Sequence, residues 1–474
     1  MINNITLKIV YFFVFIFLYL PSFVIYIVPG KYSQMPISGI LSTIFLLFIL
    51  IANKNLAFNH LKNLYQIKAF RIYVIFLAYI FTGMFFHILT GKYSAVAITN
   101  YAVKTGNFIL LAIPTFLLPT LAPAIGIKFK TIIKMFYIAM YLIFLLGIVQ
   151  YIAMTFNIQF INYIFDFITN SRSVSLFSDC VYQAKRVFCV FSEPSVLCQF
   201  IFLTMPFAFN ITFSEYKLFK SSWFSIFYKK TVLFLLAINL ILSKSPIYLI
   251  FCVIEFLVLL VIKYIRYIRK YIILIIFFFI LMLFVIISVW FSNLDRIEET
   301  YLYRIYKVML CFGDYERLVQ LEPSLASRLT SYYIQFKVFL NNIFFGVGFR
   351  NIGIAIIPYM LNTKIPLTTE YLQFLNSDAK MWGQNPSIVY TTLAELGIVG
   401  FSIYVYFIVL LYNVLNKIKY NLTGIQLVFT KSFSQLIIAM SLISFYNYSF
   451  ECNPFMYFGF VLMIVLYYKL LNKR

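Results

Sequence analysis

The chain has 474 residues, of which 63% are hydrophobic, 21% aromatic and only 11% charged, with a mean hydropathy of +0.92. So much apolar surface excludes a water-soluble globular fold and requires lipid as the solvent. The 38 Lys and Arg against 15 Asp and Glu would suggest nucleic acid as the partner of a soluble protein, but in a lipid-solvated chain the basic excess reports topology, and no nucleic-acid partner is expected.

Apolar windows of spanning length predict helices over residues 7–29, 35–52, 70–90, 102–123, 131–156, 190–213, 231–244, 246–262, 271–291, 387–412, 432–450 and 454–470. The predicted fold class is an all-α polytopic membrane protein with about twelve transmembrane helices and one large, partly helical periplasmic loop. The fourth window carries Lys104, and the seventh is short and pairs tightly with the eighth. Counting bases in alternate loops places 22 of the 38 on one side, with Glu215 as the only acid, and 16 with 14 acids on the other side and in the membrane. The positive-inside rule makes the first side cytoplasmic, together with both termini. The first window is too long for a signal peptide, and no small-residue cleavage site follows it, so it reads as a retained helix.

Cys180 and Cys189 fall in an outer loop and are candidates for pairing, although their spacing alone does not establish it. The only histidines are His60 and His87, and neither a CxxC nor a Cys/His pattern occurs. No bound metal and no cofactor are expected. Without repeats or Pro-rich linkers, residues 1–474 read as one integral membrane domain.

The cytoplasmic connections are short and basic, whereas residues 292–386 make one outer excursion far longer than connectivity needs. Loops of that length usually carry function. A second outer loop, 157–189, holds Arg172, Lys185 and Arg186 and leads into "FSEPS". Within the large loop, "SRLTSYYIQFKVFLNNIFFGVGFRN" places Leu329, Tyr333, Phe336, Leu340 and Ile343 on one helical face, with Arg328, Ser331, Gln335 and Asn342 on a neighbouring polar face. This spacing predicts an amphipathic helix over 328–345. Gly346 is placed to end it, and Gly348 and Gly353 let the backbone turn and offer amides to an oxyanion. On these residues alone, an interfacial helix whose bases touch lipid headgroups is an equal reading.

The same stretch resembles the signature of the O-antigen polymerase and O-antigen ligase superfamily: an Arg, a helix, an Asn and a Gly-x-Gly turn. Arg328, Asn342, Gly346 and Gly348 occupy those places. Ile343 stands where the family often has Pro. Downstream, "QNPSIVYTTLAELGIVGF" is similar to the family segment that enters the next helix, matching at Asn385, Glu395, Gly397 and Gly400. Upstream, "FSEPS" resembles a Glu-Pro-Ser element of polysaccharide polymerases, and "LSKSPIYL" resembles a Thr/Ser-x-Ser-Arg turn from which Lys244 and Pro246 depart. Ligases of this superfamily carry a functional His in the large loop, whereas residues 292–386 contain no His and Gln384 precedes Asn385. That departure favours polymerase over ligase.

The resemblance implies glycosyl transfer on the outer face of the bacterial inner membrane, with a polyprenyl-diphosphate-linked oligosaccharide as donor and another as acceptor. Membrane lipid surrounds the chain, and a chain-length regulator protein is a candidate partner. Arg328 is the first candidate for the diphosphate contact because guanidinium forks onto phosphate oxygens. Arg350 and Arg186 are candidate helpers, with headgroup snorkelling as the alternative for each. Asn342, Gly346, Gly348 and Asn385 are candidate substrate-binding positions. Glu193, beside Pro194 at a helix start, is a candidate catalytic base or arginine-orienting group, or else a dipole-complementing cap. A lipid-linked oligosaccharide flippase is the competing reading from another class, and would be expected to show repeat symmetry.

Overall fold

A computed structural model describes residues 4–17, 24–26, 34–89, 106, 112–169, 186–189, 194–268, 311, 313–349, 351–362, 387–444 and 454–471. Its elements are α1 (Asn4–Phe17), β1 (Val24–Tyr26), β2 (Gln34–Pro36), α2 (Ile37–Ala52), α3 (Lys54–Tyr65) and α4 (Lys68–Leu89). There follow α5 (Ala112–Ala124), α6 (Phe129–Thr155), α7 (Gln159–Thr169), α8 (Pro194–Thr212), α9 (Ser222–Leu242) and α10 (Pro246–Ile268). The chain continues through α11 (Tyr315–Leu321), α12 (Pro323–Asn341), α13 (Ile352–Ala355), α14 (Ile357–Leu361), α15 (Ile388–Lys419), α16 (Gly424–Ile443) and α17 (Pro454–Leu471). Among the described residues α6, α9, α15 and α16 are long and apolar enough to cross a membrane, and α1, α5, α8 and α17 contain shorter apolar helices.

Several predicted windows shift for identifiable reasons. The window 7–29 is not one helix: within it Val24–Tyr26 forms a strand that pairs antiparallel with Gln34–Pro36. Pro21, Pro29 and Gly30 punctuate that sequence, and proline cannot continue a helical hydrogen-bond ladder. Helix α9 begins at Ser222, not 231, because Lys229 and Lys230 lie within its turns. Helix α16 likewise begins at Gly424 and includes Lys431. The window 271–291 lies outside the described residues, as does Cys180. Cys189 is buried, its thiol donating to the Ile143 carbonyl at 3.2 Å.

The core centres on α8, which packs against α9, α10 and α16. It is buried on all sides from Leu197 to Ile211, as an all-round apolar helix should be. Phe136, Phe207, Phe433 and Phe460 bring α6, α8, α16 and α17 together at ring separations of 4.6, 4.8 and 5.6 Å for the pairs 136–207, 207–433 and 136–460. A polar tie accompanies them: the Asn210 side-chain amide donates to Gln435 Oε1 and to Ser432 Oγ. Between helices in an apolar medium, such bonds add specificity to van der Waals packing. Ile138, Leu142, Val149 and Ile152 of α6 stay exposed, forming an apolar face suited to lipid.

The basic connections gather at one end of this bundle. A Cβ on Gly126 would lie 3.9 Å from Lys8 Nζ. Lys469 Nζ donates to the Gln66 carbonyl at 3.5 Å and Lys263 Nζ to the Phe213 carbonyl at 3.3 Å. Loops that charge counting assigned to one side therefore do meet in space.

Candidate active site

Helix α12 forms where the sequence predicts a helix, but over Pro323–Asn341 in place of 328–345. Pro323 fits the first turn, where a missing amide hydrogen is harmless. The short α11 before it is capped by Asp314, whose Oδ1 accepts from the Arg317 amide at 3.0 Å. Tyr315 OH bonds the Ala326 carbonyl at 3.1 Å and also reaches Thr330 Oγ1. These contacts fix the start of α12.

The apolar stripe predicted for α12 faces outward, while its predicted polar face turns inward beside the buried Ile334 and Val338. Leu329, Tyr333, Phe336 and Leu340 are 42%, 41%, 44% and 49% exposed, whereas Ser327, Ser331 and Gln335 are at most 1% exposed. The polar face packs against α15, where Thr391, Thr392 and Glu395 are buried in turn. Gln335 links the two helices: its Nε2 donates to Ser331 Oγ at 3.0 Å, and its Oε1 accepts from Thr391 Oγ1 at 3.2 Å. Tyr332 stacks on Tyr390 at 4.9 Å. Arg328 is half-buried, one residue beyond Ser327 on the margin of this seam. An outward apolar stripe beside an inward polar seam suits a helix lying at a membrane interface over an enclosed polar region.

Past Asn342 the chain turns through Gly346 (φ 66°) and Gly348 (φ 91°). The turn does not present its amides to an oxyanion, contrary to the sequence-based expectation. Val347 N–H donates to the Ala394 carbonyl at 2.9 Å and Gly348 N–H to the Glu395 carbonyl at 2.8 Å. Those carbonyls need partners because α15 breaks at Gly397, whose φ and ψ of 64° and −171° are non-helical. In return, Ile398 and Val399 N–H donate to the Ile343 and Phe344 carbonyls at 2.7 and 3.4 Å. Tyr79 OH of α4 takes up the Leu396 carbonyl at 2.8 Å. The groups freed by the break are thus satisfied by a second segment of backbone, as a low-dielectric setting demands.

This clasp leaves no room for side chains. A Cβ on Gly346 would lie 2.3 Å from the Glu395 carbonyl carbon, and one on Gly397 would lie 2.2 Å from the Phe344 carbonyl oxygen. Asn342 also serves the turn: it caps α12, its side-chain amide donates to the Val338 carbonyl at 3.0 Å, and its own carbonyl accepts from Gly346 N–H at 2.9 Å. Asn351 is 2% exposed behind the turn, its N–H donating to the Gly348 carbonyl at 3.1 Å.

A second group of residues forms around the upstream segments. Arg186 Nε donates to the Ser243 carbonyl at 3.2 Å, and Val187 N–H to the Leu242 carbonyl at 3.1 Å. Gln150 Oε1 accepts from both Phe188 and Cys189 N–H, at 2.9 and 2.6 Å. Cys198 Sγ lies 2.8 Å from Ser243 Oγ, and Gln199 Nε2 donates to Tyr248 OH at 2.7 Å. Lys244 turns the chain between α9 and α10 with φ 51°. Arg186 is therefore held on the "LSKSP" turn beside α8, while Arg328 lies on α12, the helix that packs against α15. Glu193, Arg350 and Asn385 lie outside the described residues. Sequence reasoning missed Ser387, Thr391 and Thr392. The spacing of Thr391 and Thr392 to the Glu395 it had singled out, one helical turn, was the available signal.

Residues 231–405 match the family model described as O-antigen ligase. The matched span includes the α9–α10 turn, α12, the glycine clasp and the first part of α15, so this part of the chain is similar to the O-antigen ligase/polymerase superfamily. Members of that family are membrane glycosyltransferase-like enzymes, and the apolar helices agree with a multi-pass membrane protein. No curated protein sequence matches the chain.

Proposed function

We propose that this protein is the polymerase of lipid-linked oligosaccharide repeat units in O-antigen or related surface-polysaccharide synthesis. The reaction proceeds on the periplasmic face of the inner membrane, in a chain of about twelve spans with both termini in the cytoplasm. A hydroxyl of one lipid-linked unit attacks the anomeric carbon of another. A new C–O bond forms, the bond from that carbon to the diphosphate oxygen breaks, and the polyprenyl diphosphate leaves with the bonding pair while the hydroxyl proton passes to a base.

The observation that carries this reading is the clasp within the family-matched span. It anchors α12 against α15 and holds Arg328 on the margin of a buried polar seam. A guanidinium there would neutralise the charge developing on the departing diphosphate, with no requirement for a metal. Arg186 and Arg350 are proposed as further diphosphate contacts and Glu193 as the proton acceptor. Polymerase is preferred to ligase because residues 292–386 hold no histidine.

Purified protein supplied with a polyprenyl-diphosphate-linked repeat unit tests this directly. A ladder of longer glycans is expected, and Arg328→Ala should abolish it while the variant still inserts and folds. Transfer to a lipid A core without chain growth would make the protein a ligase. A normal ladder from Arg328→Ala would remove that residue from the mechanism.

A further inference from the structure

At the lysine-rich end of the bundle, the first turns of α6, the 213–221 connection and the start of α16 enclose a cavity of about 410 Å3. Its volume is that of a small-ligand site. Lys130, Lys134, Lys217 and Lys220 line it, and among the described residues its lining holds no carboxylate. Glu215, the acid nearest in sequence, is exposed and outside that lining. Lys130 and Lys134 are one helical turn apart and so share a face of α6. The other two are brought opposite them by a fixed connection: Leu218 N–H donates to Ser225 Oγ at 2.9 Å, and Lys217 Nζ to Ser222 Oγ at 2.7 Å. Four ammonium groups around one hollow give it a positive potential that favours an anion.

Helix α16 adds to the same field. It starts at this wall, its N-cap Thr423 makes no side-chain capping bond, and Gly424 turns into it with φ 63°. The positive end of a 20-residue helix therefore faces the four lysines, with backbone amides suited to an anionic oxygen. Ile133 and Phe219 contribute apolar wall beside Tyr216, which is 44% exposed.

From this convergence we infer that the cavity is a binding site for a phosphate group, carried either by the headgroup of an anionic phospholipid or by a free anion such as pyrophosphate. The site lies among the basic connections and is separate from the residues around Arg328.

The test uses the full chain, purified in detergent and stripped of lipid. Cardiolipin, phosphatidylglycerol and phosphatidylcholine are titrated by native mass spectrometry, and sodium pyrophosphate by calorimetry. Saturable binding of an anionic lipid, of pyrophosphate or of both is expected, with phosphatidylcholine binding at least tenfold weaker than the anionic lipids. Lipid binding without pyrophosphate binding assigns the headgroup as the source, and the converse assigns the soluble anion. The variant K130A/K134A/K217A/K220A should lose at least tenfold in affinity. K54A/K62A/K68A/K417A, which removes the same charge from exposed positions elsewhere, should stay within twofold of the parent. Equal losses in the two variants would reduce the effect to diffuse surface charge and overturn the proposal, as would the absence of saturable binding. Should the first variant fail to fold, K134A and K220A singly are each expected to lose about threefold, and unchanged affinity in both overturns the site.

Discussion

Replacing Gly397 by Ala probes the clasp at its tightest point. The residue sits at φ 64° and ψ −171°, a region essentially closed to L side chains, so the backbone alone resists the change by about 1–3 kcal/mol. The added Cβ would lie 2.2 Å from the Phe344 oxygen, 2.4 Å from its carbonyl carbon and 2.6 Å from the Phe345 nitrogen. All three are backbone atoms, and none can swing aside as a flexible side chain would. Relief requires the 343–348 turn to move off α15, which weakens four inter-segment backbone bonds at a net ~0.5–1.5 kcal/mol each. The expected destabilisation is on the order of 4–6 kcal/mol, at the severe end for a single substitution.

Two other glycines separate strain from crowding. Gly313→Ala keeps the left-handed strain, φ 86°, with none of the described residues within 4 Å of the new Cβ, and should lose only about 1–2 kcal/mol. Gly83→Ala, inside α4 with none of the described residues within 4 Å of the added Cβ, should be neutral or gain up to about 1 kcal/mol from helix propensity. Unfolding midpoints in detergent, with the glycan-ladder assay as a second readout, rank the three. If Gly397→Ala falls within about 1 kcal/mol of Gly313→Ala, the close backbone approach is not what holds the two segments together.

Arg328→Lys keeps the charge but loses the forked geometry, so chain lengthening should fall at least tenfold with the unfolding midpoint unchanged; parental activity would argue for simple charge. Tyr79→Phe leaves the Leu396 carbonyl without its 2.8 Å donor and should lower stability by about 1–2 kcal/mol, read as a midpoint shift in detergent. His60 lies on α3, a polar helix carrying Lys54 and Lys62 that turns through 112° from α2 and is not among the four helices of spanning length. Burial holds its imidazole down to about 4, and its Nε2 donates to Thr120 Oγ1 at 3.0 Å because the Thr120 hydroxyl proton is given to the Leu117 carbonyl. The unfolded chain binds the proton first, so this contribution is complete above about pH 6.5 and falls as pH drops toward 4, by on the order of 3 kcal/mol. Unfolding at stepped pH checks it, and His60→Gln should flatten that dependence.

How much of this was legible in the sequence depended on whether a signal was local. Helix α6 was readable to within two residues at its start because 27 residues run without a strong breaker at high hydropathy. The starts of α9 and α16 are harder to read because Lys229, Lys230 and Lys431 resemble loop residues, although long basic side chains near a helix end can reach the interface while the backbone remains helical. The heptad-like spacing of α12 was visible, but the direction of its faces was not. Periodicity defines two faces and says nothing about which solvent each one meets, and a membrane interface inverts the aqueous answer.

The glycine turn was beyond sequence reasoning for a different reason. Its partner, Gly397, lies about fifty residues downstream, and a Gly-x-Gly pair reads identically whether it cradles an anion or another backbone. Once the partner is known, the Arg-to-glycine spacing acquires a mechanical meaning. The clasp fixes the C-terminal end of α12, and the 13 steps from Arg328 to Asn341 span about 20 Å of helix at ~1.5 Å per residue. Each residue of that interval also sets about 100° of rotation. Gln335, roughly midway, pins the rotation through Ser331 and Thr391. A helix anchored at one end and keyed at its middle delivers its first turns to one place on the seam, so the separation between Arg328 and Gly346 sets both the reach and the bearing of the guanidinium.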